Sequence, residues 1–538
     1  MSDFLQWWQQ AVFYHIYLRS FADSDGDGLG DLEGLIRHLD YLNGCADSLG
    51  IDAIWLSPCY PSPDKDFGYD VADYCAIDPR YGTLQQFSQL IKEAHQRGIR
   101  IMMDLVFNHT SDEHPWFIHS RASRENEKSD WYIWRDPKPD GSVPNNWQSV
   151  FGGKAWTWVE ERQQYYLHLF LPGQPDLNWR NPKVREAIWE NVRFWLGLGV
   201  DGFRLDVFNL WFKDEQLKDN PPRLGIRSYD RQRHLYDMDQ PEMHQALEQF
   251  RGILDDAQGR TSIGELMGQD PERAASYCNR DQLHMIFNFE FLHSPWKPAA
   301  FQKAILHWQD AMQDDGWPAY VLSNHDVSRS ISRYGRRDPD PIAKLAAALL
   351  LTLRGTPFIY YGEEIGMPDI RLRRSQIMDP PGRKYWPIYK GRDANRAPMQ
   401  WTSGKNAGFS DASPWLPVHP GYRSRNVEAQ RQDPESTFHF YRRLLQIRRG
   451  TPALHAGSFH PLQEHPKRGL AYLRHHEQAD ALIGLNFSPQ PARLPFDRPL
   501  ENPNWSLLLS SLNDSAAHVH AKSLQLGPYE AAIWLASD

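Results

Sequence analysis

Eight short apolar segments alternate with capped amphipathic helices, polar residues recur where those segments end, and two long breaks interrupt the rhythm. Together these features predict an α/β chain: a (β/α)8 TIM barrel with an insertion after its third strand and a C-terminal antiparallel β-domain. Strict alternation of strand and helix specifies a parallel sheet, because parallel neighbours need a crossover connection. Polar side chains at the C-terminal ends of successive strands then have one natural place, since those ends form the active-site face of such a barrel.

The strands are expected near 11–18, 52–57, 100–107, 202–207, 261–266, 284–291, 320–325 and 357–361. Between the second and third, Thr83-Leu-Gln-Gln86 is a capping-box pattern, Leu84, Phe87, Leu90, Ile91 and Ala94 follow at helical spacing, and Gly98 supplies a left-handed stop. Asn181-Pro182 pairs an N-cap with proline at the first helical position. A long stretch rich in Trp, Pro, Gly and Asn separates the third and fourth strands, and residues 365–435 are irregular, as functional segments often are. A helix with Phe440, Leu444, Leu445 and Ile447 in phase ends at Gly450. The remainder consists of short apolar runs such as Ala481-Leu-Ile-Gly-Leu-Asn486, separated by turn signals. The barrel is therefore assigned to 1–108 and 179–452, the insertion to 109–178, and a β-sandwich-like domain to 453–538.

Composition narrows the classes of function. Net charge is −9 with both signs interspersed, which argues against nucleic acid as a partner. Clusters such as Arg371-Leu-Arg-Arg374 read as solvated loop charges. No apolar run reaches membrane-spanning length, and the N-terminus lacks a basic region followed by an apolar core. Four scattered cysteines without metal spacing fit a reducing compartment, so a cytoplasmic protein without membrane partners is expected. Aromatic content of 13%, with 21 tryptophans, leans towards carbohydrate, because aromatic faces stack on sugar C–H faces.

The chemistry-bearing residues sit at four strand ends. In Asp201-Gly-Phe-Arg-Leu-Asp-Val207, strand alternation puts Arg204 and Asp206 on one face, and the arginine favours an ionised Asp206, as a nucleophile requires. An isolated Arg-x-Asp reads as a structural ion pair; the other strands change that reading. Thr261-Ser-Ile-Gly-Glu265 presents a carboxylic acid with no cation nearby in sequence, and apolar surroundings would let it keep its proton. Tyr320-Val-Leu-Ser-Asn-His-Asp326 places Asn324 and Asp326 in phase. Ile101 to Thr110 carries Asp104 and Asn108 in phase and leads into His109.

These segments resemble glycoside hydrolase family 13, the α-amylase family, in order and in residues, from about residue 10 to about residue 450. Gln174-Pro-Asp-Leu-Asn178 is similar to the form found in the oligo-1,6-glucosidase and α-glucosidase branch. The resemblance implies Asp206 as nucleophile, Glu265 as general acid/base and Asp326 as the third carboxylate, gripping the 2- and 3-hydroxyls. Retention by double displacement would need the two reacting carboxyl groups about 5–5.5 Å apart. It implies His109 and His325 as hydroxyl donors, Tyr69 as the ring stacked on the first glucose, and Asp70 with Arg396 as a clamp closing the site beyond one sugar. The insertion becomes domain B, walling one side of the cleft. There Phe151 and Phe170 either shape the acceptor side or pack the insertion's core. The expected function is a retaining, exo-acting α-glucosidase on maltose- or isomaltose-type substrates, as a monomer or homodimer, with glucosyl transfer to alcohol or sugar acceptors. A transglycosidase or isomerase of trehalose synthase or sucrose isomerase type shares the intermediate. A non-catalytic transporter heavy chain would carry a membrane helix and lose these carboxylates. In related α-glucosidases, valine after the nucleophile accompanies α-1,6 preference, so Val207 points to that linkage, although Phe208-Asn-Leu-Trp211 departs from the oligo-1,6-glucosidase pattern.

Asp23-Ser-Asp25-Gly-Asp27-Gly-Leu29-Gly-Asp31 alternates carboxylates with a backbone carbonyl at Leu29, which suits an oxygen-ligated divalent cation. Gly34 stands where an EF-hand carries its bidentate glutamate. The resembled enzymes hold Ca2+ or Mg2+ in a similar loop, implying a structural ion and no organic cofactor.

Overall fold

A closed barrel of eight parallel strands forms the centre of the computed structural model, which describes residues 5–268, 270–312, 316–335, 339–515 and 517–536. In chain order the strands are β1 (Phe13–Ile16), β2 (Ala53–Leu56), β3 (Arg100–Leu105), β4 (Trp134–Arg135), β5 (Trp156–Val159), β6 (Gln164–Leu167), β7 (Gly202–Leu205), β8 (Thr261–Gly264), β9 (Met285–Phe287), β10 (Pro318–Val321) and β11 (Thr356–Tyr360). Around the barrel the order is β1, β2, β3, β7, β8, β9, β10, β11 and back to β1. Strands β4, β5 and β6 form a separate antiparallel sheet in the segment that follows β3.

Each segment expected to be a strand carries one, but the strands stop early. β7 ends one residue before Asp206, β8 one before Glu265, and β10 five before Asp326. The physical reason lies in what fills the barrel. Phe13, Trp55, Met102, Ile263, Met285, Phe287, Val321 and Phe358 form a buried apolar cluster inside it. Above that plug the polar groups of the chain must meet polar side chains, and regular pairing gives way to turns.

The helix signals hold. Thr83 and Gln86 make the reciprocal capping box on Leu84–Gln96, and Gly98 has φ +70°. Asn181 caps Pro182–Leu198 through the Lys183 amide, and Gly199 closes that helix in the left-handed region. The last stretch forms two antiparallel sheets. One runs in the order β12 (Ser458–Pro461), β13 (Gly469–His475), β14 (Ala481–Asn486), β19 (Ala531–Ala536), β16 (Trp505–Ser510), and the other β15 (Ala492–Pro495), β18 (Ser523–Leu526), β17 (His518–His520). Leu482, Leu494, Leu524, Leu526 and Trp534 pack the two sheets face to face. Among the described residues no helix is long and apolar enough to cross a membrane.

Candidate active site

The site begins with one cross-strand pair. Asp104 on β3 is the register partner of Arg204 on β7, so their side chains leave the barrel wall together. Arg204 is completely buried, and its Nη1 donates to Asp104 Oδ1 at 2.7 Å and to Asp206 Oδ1 at 2.8 Å. Its Nη2 lies against Glu265 Oε2. The sequence placed no cation near Glu265, and that reading needs correcting: β8 lies beside β7, so folding sets Arg204 between both carboxyl groups. Side-chain exposure rises from 0% at Arg204 to 10% at Asp206 and 12% at Glu265, so the carboxylates reach the cleft while the cation stays beneath them.

One guanidinium shared among three carboxylates cannot neutralise them all. Burial pushes the Asp206 carboxyl up, to about 7, against the pull of Arg204, and the charges of Asp104 and Asp326 add to the rise. The expectation that Arg204 alone keeps Asp206 ionised is therefore corrected. An uncompensated buried charge is costly for stability, which is how functional sites differ from structural ion pairs.

Asp326 is in a contrasting setting. Burial alone would raise it, but the surrounding guanidinium groups of Arg392, Arg396 and Arg204 outweigh that and hold its carboxyl well below the usual range. Arg396 Nη2 donates to Asp326 Oδ1 at 2.8 Å, and Arg396 Nε to the His325 carbonyl at 2.7 Å. Asn324 does not share a strand face with Asp326. Its Oδ1 accepts from the Asp326 and Val327 amides, making the turn that aims Asp326 at the cleft.

The clamp uses other residues than those expected. Asp70 is fully buried and accepts from the Lys65 and Asp66 amides and the Ser62 hydroxyl, so its carboxylate is consumed in building its own loop. Asp66 takes the outward place instead, bonding Arg392 Nη2 at 2.5 Å. Arg392 also pairs with Asp379 at 2.7 Å and reaches Asp326 at 3.3 Å. Neither Asp66 nor Arg392 was singled out from the sequence. The available signals were their places, two residues before Gly68 and four before Arg396.

Aromatic and imidazole rings line the floor. The Tyr69 hydroxyl donates to Asp104 Oδ2 at 3.1 Å and meets His325 Nε2 at 2.7 Å, while its ring stacks on the His325 ring with centroids 5.2 Å apart. Tyr17 is parallel to His325 at 6.0 Å and lies under Arg396. Burial drives His325 down to about 3 and His109 to about 4, so both imidazoles are neutral. His109 was expected as a hydroxyl donor, but both its ring nitrogens are engaged within the protein. Nε2 meets the Tyr69 carbonyl and Gln174, and Nδ1 meets Asn108. It holds the Tyr69 loop in place. Deeper still, buried Lys213 bonds Asp176 at 2.6 Å and Asn108 at 2.8 Å, tying the Gln174–Asn178 segment to the end of β3.

The opposite wall is apolar. Val207, Phe170, Leu210, Tyr229 and Met238 form one cluster, with Phe151 and Met267 packed against it. Both readings of Phe151 and Phe170 hold: their rings meet edge to face at 5.5 Å, and Phe151 lies 5.1 Å from the Arg392 guanidinium. Val207 has φ +31°, a strained conformation for a β-branched residue, immediately after Asp206.

In the acidic loop, carboxylate oxygens of Asp23, Asp25 and Asp27 lie within 4.8 Å of one another. Asp31 does not join them. Its two oxygens accept from the Ser24 and Gly34 amides at 2.7 Å, capping the following helix. The Leu29 amide donates to Asp27. Gly28 has φ +95°, and a Cβ there would strike the Ser413 carbonyl, so the loop is wedged against that segment.

Residues 15–457 match the family described as alpha amylase, catalytic domain. A probable alpha-glucosidase of Rhizobium meliloti (strain 1021) is 45% identical over 516 residues, covering 92% of each chain. An oligo-1,6-glucosidase of Parageobacillus thermoglucosidasius is 39% identical, covering 98% of each. Among solved structures, an alpha-glucosyl transfer enzyme superposes with a TM-score of 0.93 at 41% identity, covering 99% of this chain and 100% of that one.

Proposed function

The chain belongs to the α-amylase family of glycoside hydrolases, and we propose that within it the protein is a retaining, exo-acting α-glucosidase of short α-glucosides that also transfers glucose to alcohols. The observation that carries this reading is the Asp66–Arg392–Asp326–Arg396 network, which ends the cleft in buried ion pairs rather than in an open groove. A site closed at that end admits one terminal sugar and leaves the rest of the substrate on the Phe151 side.

In the proposed cycle, Glu265 protonates the glycosidic oxygen while Asp206 attacks the anomeric carbon. The C–O bond to the leaving group breaks, and a covalent glucosyl ester forms. Glu265 then removes a proton from water or an alcohol, whose oxygen displaces Asp206 with a second inversion. Arg204 organises both carboxyl groups from below. Asp326, held ionised, accepts hydrogen bonds from ring hydroxyls and favours the positive charge that develops in the transition state. Val207 beside the nucleophile supports an α-1,6 preference. The four free cysteines fit a cytoplasmic setting.

The test is proton NMR of maltose and isomaltose with the purified protein. Early α-glucose above the mutarotation background, with transfer products, supports the cycle. Early β-glucose from the cleaved carbon overturns it.

The three converging carboxylates at Asp23, Asp25 and Asp27 are hard oxygen donors and fit Ca2+ or Mg2+. They would hold a structural ion, fixing the loop against the Ser413 segment. Chelation should lower Tm by a few degrees, with Ca2+ or Mg2+ restoring it; an unchanged Tm would remove the ion from this reading.

A further inference from the structure

The cleft's outer rim carries an unusual concentration of exposed apolar side chains. Among the described residues nine large hydrophobic side chains stand exposed, and six of them, Leu224, Ile226, Leu235, Met378, Ile388 and Tyr389, fall in two segments, 221–236 and 378–389. Leu224, Ile226 and Ile388 are 101%, 86% and 93% exposed. Each exposed apolar surface costs about 25 cal/mol per Å2 relative to burial, so such a concentration beside a site marks something it binds.

Both segments converge on the wall that carries Phe151. Lys384 Nζ donates to the Gly152 carbonyl at 2.6 Å, and Gly152, at φ +87°, sits so close to the Tyr385 hydroxyl that any Cβ would collide with it. From the other segment, Tyr229 packs into the cluster that contains Val207 and Phe170 and against which Phe151 rests. The two segments sense each other, since Tyr389 and Tyr385 act on Arg227. Tyr389 in turn sits within the electrostatic reach of Asp326, Arg392 and Arg396. An apolar surface therefore runs from Val207, beside the nucleophile, through Phe151 and Tyr229, and out to Leu224, Ile226 and Ile388.

What meets this surface is set by the closed end of the site. With the Asp66–Arg392 pair sealing the donor side, only the leaving group or the attacking alcohol lies outward. A sugar there would need hydrogen-bond partners for several hydroxyls, and the tips of the rim offer branched aliphatic side chains instead. We propose that the outer half of the cleft is an acceptor site for apolar alcohols, so that the enzyme glucosylates hydroxyls on aryl or alkyl bodies in preference to those of polyols and sugars. This deepens the α-glucosidase reading and rests on it. The step is balanced: the alcohol oxygen bonds to the anomeric carbon, the ester bond to Asp206 breaks, its electron pair returns to the carboxylate, and Glu265 takes the hydroxyl proton.

The test uses α-glucosyl fluoride as donor, because its leaving group touches none of the rim. Benzyl alcohol and glycerol compete at equal concentration, and the ratio of the two glucosides to each other and to free glucose is read by NMR. Wild-type protein should form benzyl glucoside in several-fold excess. In the triple variant L224S/I226S/I388S, whose substitutions are all exposed, the benzyl-to-glyceryl ratio should fall by about threefold or more. A wild-type ratio near one, or a ratio unchanged in the variant, overturns the proposal. An unchanged ratio with loss of a dimer on size-exclusion chromatography would assign the rim to self-association instead. Absence of fluoride release is a different result: it sinks the glucosidase reading itself, and the acceptor site with it.

Discussion

The two halves of the cleft solve opposite problems. The half that would hold the glucosyl unit is built from buried charges, with Arg204, Arg392 and Arg396 set among Asp66, Asp104, Asp206, Glu265, Asp326 and Asp379. The outward half is built from Val207, Phe151, Phe170 and Tyr229 and ends in exposed aliphatic side chains. A site of fixed ion pairs discriminates strictly, because a ligand that leaves one charge unpaired meets the full cost of desolvation. An apolar wall discriminates weakly, by contact area alone. The contrast teaches that the donor is selected closely and the acceptor loosely, the arrangement a transferring hydrolase needs.

Substitutions can break that contrast from its charged side first. Asp206→Asn should reduce kcat by about four orders of magnitude, measured as nitrophenol release from an aryl α-glucoside; a loss of only tenfold would remove Asp206 from the nucleophile's role. Arg392→Ala leaves Asp66 and Asp379 without their cation, and kcat/KM for maltose should fall by about a hundredfold. Were the clamp unimportant for exo-action, the variant would keep wild-type kcat/KM.

The pH profile sharpens the comparison within the charged half. Burial, assisted by Asp104, puts Asp206 at about 7, above its value in the unfolded chain. Its contribution to stability is therefore complete at low pH and lost as pH rises through about 7, whereas the nucleophile must be ionised to act. The acid limb of kcat/KM for the free enzyme should accordingly fall near neutrality. Asp104→Asn removes a neighbouring negative charge, so the limb should move to lower pH; a limb that stays in place would assign it to another group.

The smallest effect belongs to the apolar half. Val207→Ala should shift the maltose-to-isomaltose rate ratio towards maltose by about threefold, while relieving strain of about 1–3 kcal/mol at a positive-φ position only in part. An unchanged ratio would move the choice of linkage to the rim.

Much of this was readable in the chain, for reasons that can be named residue by residue. Barrel strands reveal themselves because they are buried and apolar, and helix ends because Thr83, Asn181, Gly98 and Gly199 have local roles that need no tertiary context. The catalytic candidates were legible because each follows such a strand directly. Asp66 and Arg392 were not, since each sits in a loop whose partner lies more than three hundred residues away. Asp70 and Asp31 misled for the converse reason. A carboxylate in sequence looks available, but in the fold both are spent on backbone amides of their own loops.

The sequence by itself determined the periodicities, the caps and the order of polar strand ends, because these depend on side-chain alternation and hydrogen bonds within a few residues. Only the tertiary structure decided how charge is shared. Closure of the barrel put Arg204 between Asp104, Asp206 and Glu265 and gathered two arginines around Asp326, so that two aspartates of like chemistry were driven in opposite directions. That outcome depends on burial and on distances between segments far apart in the chain, and no local pattern carries either quantity.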